Sequence, residues 1–316
     1  TDAYNNMGVA LEDQAKLDLA IEAYLSALMI NPGFYAVEVQ LIHVLFRVCD
    51  WSRVKQLSAP CERSGLAAKL APPFSMLSVE DNPERQLIRS RNWVKESYKQ
   101  QPLPFPEKPK VRPKRLKIGY FSADFHDHAT LYLMSGLLKS HDTSKFEIFA
   151  YSYGRSKTGD LRQKLEGSIE HFYDLTDDSD SSIVELCRSH GLDIAIDLKG
   201  YTGSNRSAIF QYRLAPIQVN YLGYPGSMGA EFIDYIIADC TIIPENLRNY
   251  YSEKVIYLPH SYQPNDNTRE ISDVRTTRAD FGLPGHAFVF CCFNNSYKIS
   301  EREFDIWMRI LSQIDG

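Results

Sequence analysis

Several things are scarce in this chain of 316 residues, and each scarcity excludes a class. No two of its six cysteines, Cys49, Cys61, Cys187, Cys240, Cys291 and Cys292, stand in a C-x-x-C pair. Zinc ribbons and disulfide frameworks are therefore not expected, and a reducing, cytosolic setting is. No apolar run approaches the ~20 residues of a membrane helix, so no membrane span is expected. There is no G-x-G-x-x-G turn, which argues against a simple dinucleotide-dependent dehydrogenase. Positive charge is not in excess: the net charge is -5, so nucleic acid is not expected as a partner. The chain opens on Thr1 without a Met or a signal peptide and closes on Gly316 after a helical pattern. Both ends look cut.

What is present falls into three segments. The first, 1–100, is helical. Tyr4, Met7, Gly8, Leu11, Ala20, Tyr24, Ala27 and Pro32 repeat the large–small–large spacing of a tetratricopeptide hairpin. Gly8 and Ala20 let two helices approach closely while the larger residues fill the space beside them. Pro32 ends the second helix. Further helices are expected at 34–48, 54–70 and 84–98. One such repeat cannot bury its own faces, so it belongs in a stack. The second segment, 101–114, carries closely spaced prolines and no helical period, which predicts an extended linker.

The third segment alternates strands with helices. Strands are expected at 116–122, 146–153, 171–175, 193–198, 217–222, 235–238 and 254–258. Helices are expected at 131–139, 159–165, 182–189 and 205–212. Alternation of this kind predicts a parallel sheet covered on both faces. The resulting domain is placed at 115–284. A new strand at 287–293 and a helix at 301–314 suggest the start of a second α/β domain at 285–316.

In such sheets ligands bind beyond the carboxyl ends of the strands. Those ends carry Asp124, His126 and His128 after the first strand, and Asp197, Lys199 and Tyr201 after the fourth. Leu222-Gly-Tyr-Pro-Gly226 follows the fifth, and Asn294, Asn295, Tyr297 and Lys298 follow the strand at 287–293. An imidazole at His128 titrates near neutrality and suits a general base. Gly223 and Gly226 around Tyr224 and Pro225 permit close backbone approach. Lys298 can place a point charge on a phosphate. Taken singly, each also fits an ordinary cap, turn or surface lysine. The acidic run Asp177-Asp-Ser-Asp180 reads as a solvated turn.

Set in order, these pieces resemble the O-linked N-acetylglucosamine transferases and their Spindly-type relatives. The residues that carry the resemblance begin with the tetratricopeptide unit, Val48-Cys-Asp-Trp51 and Ile118-Gly-Tyr-Phe-Ser-Ala-Asp-Phe125 with His128. They continue through Gly200-Tyr-Thr202, Ala215-Pro-Ile-Gln218, Leu222-Gly-Tyr-Pro-Gly226 and Asp234-Tyr-Ile-Ile-Ala-Asp239. Tyr251-Ser-Glu-Lys254, Leu258-Pro-His260 and Phe293-Asn-Asn-Ser-Tyr-Lys298 complete the set.

The resemblance implies a GT-B glycosyltransferase with two Rossmann-like domains and no catalytic metal or other cofactor. It implies transfer of N-acetylglucosamine from UDP-GlcNAc to Ser or Thr hydroxyls of proteins, with inversion. Its active-site histidine falls on His128 and its donor-phosphate groups on Lys298, Asn295 and Tyr297. Its sugar-facing turn falls on Gly223, Tyr224 and Pro225. Asp124, Asp197, Lys199 and Tyr201 are added as cleft residues from the strand-end argument. Acceptor proteins would be held by the tetratricopeptide helices. An O-fucosyltransferase using GDP-fucose and a non-enzymatic tetratricopeptide scaffold remain as alternatives. The 316-residue chain alone is expected to turn over weakly or not at all.

Overall fold

A computed structural model describes residues 1–61, 65–66, 70–99, 103–104, 114–155 and 158–314. The chain divides into two compact units, Thr1–Asp81 with Glu270–Gly316, and Asn82–Arg269. This division departs from the expected borders in two ways. The helix near 84–98 groups with the sheet, and the last 47 residues group with the amino-terminal helices. Most of the expected linker, 101–102 and 105–113, lies outside the described residues.

In the first unit α1 (Asp2–Asp13) and α2 (Leu17–Ile30) form a hairpin through Gln14, Ala15 and Lys16. Gly8 is the point of closest approach: a Cβ there would stand 2.4 Å from the Tyr24 ring. The small–large pairing expected from the sequence is thus a real contact. Tyr4 and Met7 stay exposed, since α1 packs chiefly on α2. The Tyr24 hydroxyl donates to Glu12 Oε1 at 2.5 Å, and Arg47 donates to Glu12 Oε2 at 3.1 Å. Then come α3 (Tyr35–Arg47), α4 (Trp51–Cys61) and α5 (Pro73–Met76). α4 starts earlier and ends earlier than the expected helix at 54–70. Ala20, Tyr24, Val37, Leu41, Ile42 and Leu45 are fully or almost fully buried and form the core.

The same unit holds the carboxyl-terminal segment. No strand forms at 287–293, and Phe293 is 96% exposed. The physical reason is ladder pairing: a strand's backbone groups need a neighbour, and no described strand lies beside this one. A 3-10 turn, Ser296–Lys298, follows, then α10 (Glu301–Leu311) behind a capping box of Ser300 and Glu303. This segment is tied to the helices. Ser296 Oγ donates to the Arg47 carbonyl at 2.6 Å, and Trp51 Nε1 donates to the Ile299 carbonyl at 3.1 Å. The Trp51 and Phe304 rings lie 5.2 Å apart.

His43 on α3 sits 5.4 Å from the Tyr297 ring and 6.5 Å from Phe74. Burial pushes its imidazole down to about 4, with Arg47 adding to the effect. The unfolded chain therefore takes a proton that the folded unit refuses. Stability falls as pH drops from about 6.5 to about 4. The loss is of the order of 3 kcal/mol at its fullest. The protection factors of the α3 amides, corrected for the intrinsic pH dependence of exchange, should fall between pH 7 and pH 4.5, and His43→Phe should flatten that dependence.

The second unit opens with α6 (Pro83–Ser97), capped by the Asn82 side chain accepting from the Arg85 amide at 3.0 Å. Seven parallel strands follow, all near the expected positions. They are β1 (Leu116–Ser122), β2 (Phe146–Ser152), β3 (His171–Asp174), β4 (Ile194–Asp197), β5 (Ile217–Asn220), β6 (Tyr235–Ala238) and β7 (Lys254–Tyr257). Helices α7 (Ala129–Lys139), α8 (Asp160–Ser168) and α9 (Asp180–His190) connect the first four. The expected helix at 205–212 is a 3-10 helix, Ser207–Tyr212. In the acidic run, Ser179 caps α9, and Arg206 pairs with Asp180 at 2.8 Å.

The strand order is β3-β2-β1-β4-β5-β6-β7. β1 runs in register with β2 from Leu116 against Phe146 to Ser122 against Ser152. Alternate residues feed two layers. Ile118, Tyr120, Ile148, Ile196 and Val219 pack with Leu131, Met134 and Leu165 of α7 and α8. Phe121 stacks on Tyr151 at 4.5 Å and meets Phe210 edge-on at 5.1 Å. Both faces are thus apolar, as a doubly wound sheet requires. The order reverses between β1 and β4, and the crevice at such a reversal is the usual ligand site of the fold.

Candidate active site

At the reversal, the carboxyl ends of β1 and β4 bring together residues far apart in sequence. Asp124 and Lys199 form a buried ion pair, Oδ2 to Nζ 2.7 Å. Thr130 Oγ1 donates to the same Asp124 oxygen at 3.3 Å, and the Asp124 amide donates to Ser122 Oγ at 2.9 Å. His128 stands above this pair as the N-cap of α7. Its Nδ1 accepts from the Thr130 amide at 3.2 Å and lies 3.6 Å from Asp124 Oδ2. The side chain is 44% exposed, so it remains reachable from solvent. Burial lowers the imidazole below its ordinary range; Asp124 opposes this, while Lys199 and His126 add to it. The Nδ1 that accepts an N–H bears no proton, so the neutral ring carries its proton on Nε2.

The loop carrying His128 is fixed from below. Asp127 Oδ1 accepts from the Leu161 amide at 3.0 Å, in the first turn of α8. Arg162, almost wholly buried, donates to Ser152 Oγ at 3.0 Å and Asp174 Oδ2 at 2.9 Å. It also pairs with Glu166 at 2.7 Å, and its guanidinium covers the Phe172 ring at 4.9 Å.

Asp197 departs from expectation. Its strand-end position predicts the cleft, yet the side chain is fully buried. Its carboxylate accepts from the amides of Lys199 at 2.8 Å and Gly200 at 3.1 Å, and from Ser207 Oγ at 2.5 Å. Burial raises its proton affinity, and these three donors oppose that. Asp197 holds the turn that carries Lys199 through these three bonds. Ser207, which sequence reasoning passed over, is its buried partner.

The Leu222–Gly226 turn packs against this turn. Leu222 takes φ 71°, and the Gly223 amide donates to the Tyr221 carbonyl at 2.9 Å. A Cβ on Gly223 would lie 2.2 Å from the Leu198 carbonyl oxygen, which is backbone and cannot swing away. Gly223→Ala should therefore cost about 2 kcal/mol through overpacking, read as a lower urea midpoint. Tyr224 and Tyr201 are buried with rings 5.2 Å apart, and Tyr201 donates to the Met228 carbonyl at 2.5 Å. Both support the turn from beneath; of the three turn residues, only Pro225 is exposed. Glu253 holds the next stretch, accepting from Ser227 Oγ at 2.7 Å and the Met228 amide at 2.6 Å. Trp93 of α6 meets Tyr201 at 6.5 Å, which explains why α6 groups with the sheet.

Lys298, Asn295 and Tyr297 belong to the other compact unit. Lys298 and Asn295 are exposed, while Tyr297 packs on the helical core beside His43. The Lys298 ammonium lies 6.0 Å from the Tyr297 ring. Among the described residues one group has ligand atoms close enough to share a cation: Glu147, Glu170 and His171. It lies at the amino ends of β2 and β3, and its members are paired with one another and with Arg115.

A doubly wound sheet with its polar residues gathered at the β1/β4 reversal defines a Rossmann-like domain. The sequence pattern of the family described as glycosyl transferase family 41 matches residues 70–274 and 266–316, and the chain belongs to that family. The chain is 32% identical over 295 residues to a probable UDP-N-acetylglucosamine–peptide N-acetylglucosaminyltransferase SEC of Arabidopsis thaliana. That match covers 87% of this chain and 30% of the plant protein. It is 40% identical over 156 residues to a UDP-N-acetylglucosamine–peptide N-acetylglucosaminyltransferase of Caenorhabditis elegans, covering 49% of this chain and 14% of that one. These matches thus span less than a third of either relative. A solved structure of a mutant O-GlcNAc transferase of Thermobaculum terrenum shares the fold, with a TM-score of 0.76 at 23% identity. It is matched over 98% of this chain and 59% of the other.

Proposed function

We propose that this chain is the acceptor-side part of an enzyme that transfers N-acetylglucosamine from UDP-GlcNAc to Ser or Thr hydroxyls of proteins. The observation that carries the reading is His128 over the Asp124–Lys199 pair at the strand-order reversal, in a chain of glycosyl transferase family 41. The acceptor oxygen forms a bond to the anomeric carbon as the bond to the diphosphate breaks. The configuration inverts, and UDP leaves. The hydroxyl proton passes to a base near the β1/β4 ends. His128 supplies that base once its own proton stands on Nδ1.

Positive charge and hydrogen-bond donors must meet the departing diphosphate, and Lys298 and Asn295 are the respective proposed groups; both are exposed. No metal is proposed, since lysine and amides can stabilise the leaving charge. The Gly223–Pro225 backbone is proposed to face the sugar. The amino-terminal helices are proposed as tetratricopeptide repeats that hold the acceptor protein, with Gly8 against Tyr24 in support. A cytosolic setting is part of the proposal. Cys49, Cys187, Cys240, Cys291 and Cys292 are free thiols, and no described helix is long and apolar enough to cross a membrane.

The test is mass spectrometry of a Ser/Thr peptide incubated with the full-length gene product and either UDP-GlcNAc or GDP-fucose. Hexosamine addition from UDP-GlcNAc is expected. Fucose addition alone would move the protein to the other donor, and no addition from either would favour a scaffold.

A further inference from the structure

The unusual feature beneath His128 is that its acidic neighbour is already engaged. Asp124 Oδ2 lies 2.7 Å from Lys199 Nζ and 3.6 Å from His128 Nδ1. A carboxylate beside an imidazole ordinarily accepts the ring's Nδ1–H, raises its basicity and turns Nε2 into a lone pair. Here the lysine holds the closer position, and the Thr130 amide occupies Nδ1 instead, at 3.2 Å. The ion pair is well shielded, with Asp124 11% and Lys199 7% exposed, so solvent does little to weaken it.

We propose that Lys199 is a positioning residue that decides where the proton of His128 sits. Paired with Asp124, it withholds the carboxylate from the imidazole and keeps Nδ1 on the Thr130 amide, so the ring presents Nε2–H. When the pair loosens, Asp124 takes up an Nδ1–H, and Nε2 becomes the free base. In the closed arrangement His128 is a hydrogen-bond donor to a substrate oxygen; in the loosened one it accepts a hydroxyl proton. The device rests on the transferase reading only for its purpose, because the proton's position is a property of the chain itself. Among the described residues, the charged and titratable groups that act on the ring are Asp124 and His126 from its own loop and Lys199 from the end of β4. Their influence on the ring has the required signs: Asp124 raises its proton affinity and Lys199 lowers it.

Nitrogen-15 NMR of the imidazole in the 316-residue chain reads both tautomer and titration midpoint, without any sugar transfer. The parent is expected to show a neutral ring protonated on Nε2. In Lys199→Met the proton should move to Nδ1 and the midpoint should rise by about one pH unit. Lys199→Arg should behave as the parent, and the double variant Asp124→Asn, Lys199→Met should return the ring to Nε2–H. If Lys199→Met does not fold, Asp124→Asn alone serves: its midpoint should fall, with the tautomer unchanged. An unchanged tautomer and midpoint in folded Lys199→Met overturns the proposal, as does a double variant that behaves like the single one. So does an unmoved midpoint in Asp124→Asn. Such a result beside normal transfer by the full-length protein would remove this device and leave the transferase reading standing. The converse pattern, the predicted ring behaviour with no transfer, would do the opposite.

Discussion

Arg162→Met is expected to cost the sheet-bearing unit about 3 kcal/mol, the largest loss from any single side chain of the His128 loop's support. The guanidinium is 3% exposed and pairs with Asp174 at 2.9 Å and Glu166 at 2.7 Å. Removing it takes a donor from Ser152 Oγ and a cation from each of the two carboxylates. Glu166 and Asp174 are 41% and 32% exposed, so water recovers part of their solvation. That places the cost near the bottom of the range for broken buried pairs. Methionine keeps most of the volume over Phe172, so the loss reports on charge and not on a cavity. Urea unfolding should show a lower midpoint with unchanged slope. A variant as stable as the parent would mean that Arg162 is not the brace beneath the loop.

His128→Ala is the second large effect, and it concerns rate and not stability. His128 is about half exposed, and its structural bond is the N-cap contact to Thr130. Losing a cap costs about 1 kcal/mol, so the fold should survive. On the proposed role, however, the proton of the attacking hydroxyl loses its receiver. General-base removal typically slows a reaction ~10²–10⁴-fold. The turnover number in the full-length protein should fall by that factor with little change in the Michaelis constant for UDP-GlcNAc. A defect in the Michaelis constant alone would make His128 a binding residue. His128→Gln keeps a cap acceptor and should be as slow as the alanine variant, which separates chemistry from capping.

Much of this was legible in the sequence because sheet strands announce themselves by local composition. Leu116–Ser122 and Tyr235–Ala238 occur where the apolar runs predicted them. The segment at 287–293 has an equally apolar run and forms no strand. A strand is a relation between neighbours, and an apolar run does not carry its partner with it. Asp124 and Lys199 each stand at a strand end, but their pairing spans 75 positions and follows only from β1 and β4 lying side by side in the sheet. The burial of Asp197 was hidden for a related reason. Its place at a strand end suggested the cleft, while Ser207 and two turn amides enclose it. Tyr297 shows the limit of motif reasoning. The motif residue next to Lys298 is a packing group for His43, a contact visible only once the chain has returned to its first helices. Nothing local to Tyr251-Ser-Glu-Lys254 announces that the Glu253 carboxylate holds the amide of Met228, 25 positions earlier.

The central claim is that the β1/β4 crevice with His128 is where a protein hydroxyl meets a nucleotide sugar. It is tested most directly by single-turnover transfer from labelled UDP-GlcNAc to a Ser/Thr peptide, using the full-length protein and its His128→Ala variant side by side. Label on the peptide hydroxyl with the parent, and a rate ~10²–10⁴-fold lower with the variant, is the predicted result. Equal rates from the two proteins would contradict it.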